Sequence, residues 1–166
     1  MLDVNKQFTI IREFDAPQEL VFKAWTNPKM IAQWWGPKGV FTPICEVDAK
    51  PGGDINIVME AGVALGEFKG TQWPMEGSFV EIEEPSKIVF TANAISDGEP
   101  ILEHKTTVTF EEKNEKTKMT VHIHIKKVNE ALAKPAVGGM EQGWNEQFDK
   151  MVEFVNKYNT NGGENK

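Results

Sequence analysis

Between Val40 and Lys127 the apolar residues recur every second position, in six runs separated by short turns. The runs are Val40–Asp48, Asp54–Glu60, Gly77–Ile82, Lys87–Ala94, Ile101–Glu112 and Lys118–Lys127. Period two is the signature of half-buried strands. The links carry turn chemistry: Pro51-Gly52-Gly53, Ala61-Gly62, Glu84-Pro85-Ser86, Asp97-Gly98 and Lys113–Lys116. Links this short favour antiparallel neighbours, because parallel pairs need a crossover of a dozen residues or more. The stretch Val63–Glu76 is less regular and reads as a ragged strand or a mobile loop.

Other patterns flank this block. Phe8–Phe14 (FTIIREF) reads as a first strand. Asp15-Ala-Pro-Gln18 reads as a helix start, with Asp15 as cap, Pro17 in the first turn and Gln18 at capping-box spacing. Asn27-Pro28 closes that helix and opens a second short one that reaches Trp34-Trp35, where Gly36-Pro37 stops it. A long helix is expected over roughly Val137–Lys157, with Met140, Trp144, Phe148, Met151, Val152 and Val155 on one stripe. The fold class is therefore α+β. A curved antiparallel sheet of about six or seven strands wraps a long C-terminal helix, and two short helices follow the first strand. Residues 1–158 form one domain, and 159–166 (NTNGGENK), polar and Gly-rich, read as a disordered tail.

An ordered set of motifs resembles the activator of heat-shock-protein-90 ATPase homologue-like family, within the START-related, birch-pollen-allergen-like (SRPBCC) superfamily. The set is Arg12-Glu-Phe-Asp-Ala-Pro17, Val21-Phe-Lys-Ala-Trp-Thr-Asn-Pro28, Trp34-Trp-Gly-Pro37, Pro51-Gly-Gly53, Gly77-Ser-Phe-Val-Glu-Ile82, Pro85, Ile88-Val-Phe-Thr91 and Gly143-Trp144. The resemblance implies a helix-grip fold with an internal cavity. It implies no single activity, since superfamily members include lipid and hormone carriers, polyketide cyclases, ring-hydroxylase domains and a chaperone activator. The eukaryotic activator carries a further N-terminal domain that contacts the chaperone, whereas this chain starts at its first strand.

Composition narrows the partners. With 18 Lys and Arg against 25 Asp and Glu, the net charge is −7. An acidic chain without a basic block suits neither nucleic acid nor anionic lipid. No apolar run has the length of a membrane span or a signal peptide core. The lone cysteine, Cys45, has no partner for an internal disulfide, which suits a reducing cytoplasm. The chain has 10 Phe and 5 Trp but only 1 Tyr, so much dry aromatic surface must be buried.

The stripe of Met140, Trp144 and Phe148 faces the sheet. It serves either as filled core or as one wall of a ligand cavity, and Gly143 within it is costly in a helix unless something needs the space. Strand alternation supplies the opposite wall: Ile57 and Met59, Phe90, and Ile123. Phe41, Trp73 and Phe110 are candidates for closing its ends, with Trp73 as a flap over an entrance or a packed loop anchor, and Trp35 is a further expected lining residue.

Three histidines invite a metal reading, which the strand register opposes. If Val108 pairs with Val121 across the Lys113–Lys116 turn, His104 faces Ile125 on the inner face while His122 and His124 point outward. Two ligands on the wrong face do not make a site, so no metal is expected. The same register puts His104 and Thr106 on the apolar wall, as satisfied core groups or as the groups that orient a ligand's polar end.

Catalytic signals are poor: there is no G-x-S-x-G elbow, no P-loop and no dinucleotide-binding turn. Alternation puts Cys45 on Phe41's face as a small buried hydrophobe, without a cation or base to activate it. The expectation is a protein that binds a small, largely apolar molecule, without cofactor or metal. A chaperone-activating or other protein-interaction module comes second. A cyclase- or hydrolase-type enzyme acting in the same cavity comes third. The edge strands leave room for a homodimer.

Overall fold

The computed structural model describes residues 1–162, apart from the side chains of 132–138. Seven strands make one sheet: β1 (Leu2–Phe14), β2 (Val40–Val47), β3 (Asp54–Ala61), β4 (Gln72–Glu83), β5 (Lys87–Ser96), β6 (Glu99–Lys113) and β7 (Lys116–Val128). The order across it is β1-β7-β6-β5-β4-β3-β2, and every pair is antiparallel. β2 to β7 are laid down as neighbours by the short turns. β1 and β2 lie at opposite edges, so the chain between them must cross the molecule. It does so as two short helices, α1 (Gln18–Thr26) and α2 (Pro28–Trp34), and the long α3 (Ala133–Thr160) follows β7 at the C-terminus. This is the helix-grip architecture.

The period-two segments become strands as expected, and Val108 does face Val121 while His104 faces Ile125. The irregular stretch resolves into a 3-10 turn, Val63–Phe68, and the first half of β4. Trp73 and Pro74 thus sit in a strand opposite Met59 and Val58, not in a loose flap. α3 continues to Thr160, past the expected Lys157. The first two residues of the expected tail are therefore helical, and 163–166 lie outside the described residues.

Helix starts differ in a telling way. Asn27 caps α2, accepting from the N–H groups of Lys29 (2.9 Å) and Met30 (3.3 Å), with Pro28 in the first turn. Asp15 does not cap α1, which starts behind Pro17 with no side-chain cap. Tertiary contacts take that role: the Gln18 N–H donates to Glu112 Oε1 (2.6 Å), and its side-chain amide donates to the carbonyls of Pro85 and Phe110, each at 3.0 Å. The first helix is thereby pinned to the turn between β4 and β5 and to β6.

One core fills the grip. Trp25, at the centre, meets Trp34 (5.0 Å between centroids), Phe148 (5.8 Å), Phe90 (6.1 Å) and Trp35 (6.2 Å). Two of the indole N–H groups find partners in the core, Trp34 in the Ala24 carbonyl at 3.0 Å and Trp25 in Met119 sulfur at 3.2 Å. Arg12 on β1 clasps α3, reaching Asp149 at 3.0 Å and Asn145 Oδ1 at 2.9 Å.

Candidate functional site

The two halves of α3 meet the sheet differently. Phe148, Met151 and Val155 are fully buried, and this C-terminal half is packed solid against the core. One and two turns earlier, Trp144 and Met140 take the stripe positions, with Gly143 and Gly139 just before them in the cleft lining. A Cβ placed on Gly139 or Gly143 would meet nothing within 4 Å. The helix axis stays the same while side-chain volume disappears, so a cleft of about 320 Å³ opens there.

Its walls come from five elements and the chain after α2. Trp35 and Pro37 follow α2; Met59 comes from β3; Trp73, Pro74 and Met75 from β4; Ala94 from β5; Ile101, Leu102 and His104 from β6. Gly139, Met140, Gly143, Trp144 and Gln147 form the helix wall. The walls follow strand pairing: Met59 opposes Trp73, Met75 opposes Ala94, and Ala94 opposes Leu102. Trp73 and Gly139 are exposed, so the cleft reaches the surface. The apolar character and three methionines make its shape adaptable.

Two polar side chains interrupt this lining. Gln147 is 4% exposed. Its Oε1 accepts the Gly36 N–H at 2.7 Å, and its Nε2 has no hydrogen-bond partner among the described residues. Next to it on α3, Lys150 donates to the carbonyls of Gly36 (3.0 Å) and Val40 (3.1 Å), and burial lowers its pKa. His104 is 3% exposed, with its ring edge-on to Phe90 (5.9 Å) and Trp144 (5.6 Å). Its Nδ1 lies 3.0 Å from Thr106 Oγ1. Burial pushes its pKa down to about 4, so the imidazole is neutral.

Of the residues expected to line a cavity, Trp35, Met59, Trp73, His104, Met140 and Trp144 come together around the cleft. Ile57 and Phe90 border a separate void of about 20 Å³, too small for more than a water. Thr106, Phe110, Ile123 and Phe148 are core residues behind the cleft, all nearly inaccessible. Phe41 is a correction: it is 47% exposed on the outer face. A bulge between Phe41 and Ile44 shifts the register by one residue, which turns Thr42 and Cys45 inward and Phe41 out. The Thr42 hydroxyl donates to the Trp35 carbonyl at 2.9 Å, and Pro43 has no N–H to lose from the ladder. Cys45 is half-buried, and burial, with Glu46 beside it, raises its thiol to about 11. Such a thiol is no nucleophile at neutral pH.

Gln147 is a site residue that the sequence reading missed; the signal that marks it is a polar side chain one turn beyond Gly143, beside the apolar stripe. The sheet-side contributions of Met75, Ala94, Ile101 and Leu102 depend on strand order and carry no such mark.

The model of the family "Activator of Hsp90 ATPase homolog 1-like protein" matches residues 15–156, most of the chain. The chain belongs to this family. Solved structures carry the same fold. A protein from Arthrobacter aurescens is 27% identical, covering 91% of this chain and 86% of its own, with a TM-score of 0.74. Protein NE0264 from Nitrosomonas europaea is 21% identical over 93% of this chain and 96% of its own, with a TM-score of 0.73. The AHSA1 protein from Silicibacter pomeroyi is 20% identical over 89% and 96%, with a TM-score of 0.70. No curated protein matches the sequence. No helix among the described residues is long and apolar enough to cross a membrane.

Proposed function

We propose that this protein binds a small, largely apolar molecule in the cleft between α3 and the sheet. The observation that carries this reading is the cleft itself, about 320 Å³, left open where Gly139 and Gly143 withdraw side chains from an otherwise close-packed core. Apolar walls of this kind gain about 25 cal/mol per Å² of ligand surface removed from water. Helical glycines cost about 1 kcal/mol each against alanine, and a filled core would have no need of them. No convergent acid–base pair lines the cleft among the described residues, so binding rather than catalysis is the simpler reading.

The test uses N-phenyl-1-naphthylamine, a neutral dye that brightens in apolar sites, together with Gly143→Leu. The wild type should take up the dye. The variant should bind at least tenfold more weakly, because leucine projects into the open space, while its Tm holds or rises as the helix gains a better former. A wild type that leaves the dye dark defeats the reading.

A second reading, action on another protein, draws on the exposed apolar residues at the β2 edge. Phe41 and Ile44 are exposed there, as are Val63 and Phe68 of the 3-10 turn. The family's name points to the ATPase of a chaperone. ATP turnover of purified Hsp90 that is unchanged by a molar excess of this protein would remove it.

A further inference from the structure

We infer that Gln147 and His104 make the cleft a subsite for an uncharged carbonyl group on an otherwise apolar molecule, an inference that rests on the cleft being a ligand site. Gln147 stands on α3 and His104 on β6, so the two polar groups come from facing walls. Each has one committed side and one free side.

The orientation of the Gln147 amide is fixed by the Gly36 N–H, which requires an oxygen opposite it. Nε2 is therefore the free atom, and it is the one buried side-chain nitrogen or oxygen without a partner among the described residues. A buried N–H left unpaired is expensive, and a ligand acceptor removes that cost.

The His104 tautomer follows from Thr106. Thr106 is wholly buried, and its hydroxyl has only His104 Nδ1 in reach among the described residues. The O–H therefore donates to Nδ1, and the neutral ring carries its proton on Nε2. Both free atoms are then neutral donors, and they call for an acceptor. No lysine or arginine is among the cleft-lining residues. The nearby Lys150 is spent on the carbonyls of Gly36 and Val40, and Glu146, immediately before Gln147, accepts the Lys38 N–H at 3.2 Å. A carboxylate would be desolvated without an ion pair, whereas a ketone, quinone or lactone carbonyl would not.

Displacement of the bound dye by three shape-related probes tests this. 2-Acetylnaphthalene carries the carbonyl, 2-isopropenylnaphthalene replaces it with a methylene of the same shape, and 2-naphthoate carries a charge. The ketone should displace the dye at about tenfold lower concentration than the hydrocarbon, and naphthoate should be the weakest. The Gln147 side-chain amide should shift in ¹H–¹⁵N spectra with the ketone and stay put with the hydrocarbon. Gln147→Met should weaken the ketone alone. Should that variant misfold, the double change His104→Phe with Thr106→Val removes the other donor and should also narrow the ratio. Equal displacement by ketone and hydrocarbon with an unmoved amide overturns the subsite and leaves the cleft intact. Naphthoate binding better than the ketone overturns the choice of an uncharged group. A dye that never binds removes the cleft reading, and the subsite with it.

Discussion

His104 shows how a single residue carries both a structural and a functional consequence. Burial holds its pKa at about 4 in the folded protein, against 6.5 for the free side chain. The unfolded chain therefore binds the extra proton first as pH falls. The stability tied to a neutral His104 is present above pH 6.5 and is lost progressively down to pH 4. At pH 5 the loss relative to pH 7 is about 2 kcal/mol. Urea titrations of the wild type and the double change His104→Phe with Thr106→Val check this, because the carboxylates contribute equally to both. The variant's stability should vary less between pH 6.5 and 4, and parallel curves would mean that the imidazole is protonated in the native state. The same residue was placed on the inner face by register alone, because paired strands give each position one face. Its partner Thr106 was legible too. Its tautomer was not, since that depends on which acceptors a buried hydroxyl can reach.

At the scale of elements, the sheet combines regular antiparallel ladders with register shifts at defined points. The bulges in β2 and β4 bend strands around the helix, and the one in β2 decides which way Phe41 and Cys45 point. Strict alternation cannot anticipate a bulge, because nothing in the period signals the extra residue. Gly77 marks another tight place. A Cβ there would overlap the Thr91 carbonyl oxygen and Ala92 on the paired strand. Gly77→Ala should therefore destabilise the protein by about 2 kcal/mol or more, read from the urea midpoint. A midpoint that does not move would mean β4 and β5 can separate there at little cost. α3 was readable as a single amphipathic helix, but its division into a packed half and an open half was not. A stripe of Met140, Trp144 and Phe148 has the same spacing whether the wall opposite lies close or far.

At the scale of the molecule, β1 pairs with β7 across more than a hundred residues, with Thr9 and His122 in hydrogen-bond contact 113 positions apart. Closing that pairing requires α1, α2 and the other strands to be accommodated first, and non-local sheets of this kind fold slowly. Refolding followed by tryptophan fluorescence should therefore run in milliseconds to seconds, and a microsecond relaxation would point to a locally driven route. The sequence by itself determined the element order, the antiparallel class, the inner face of β6 and β7, and the family. Each of these follows from local periodicity, turn chemistry or an ordered motif set. Only the tertiary structure decided that the cleft occupies the N-terminal half of α3, that Gln147 is left with an unpaired donor, and that Phe41 faces outward. Those depend on distances between elements far apart in the chain, on bulge positions, and on which polar atoms find partners once the sheet has closed around the helix.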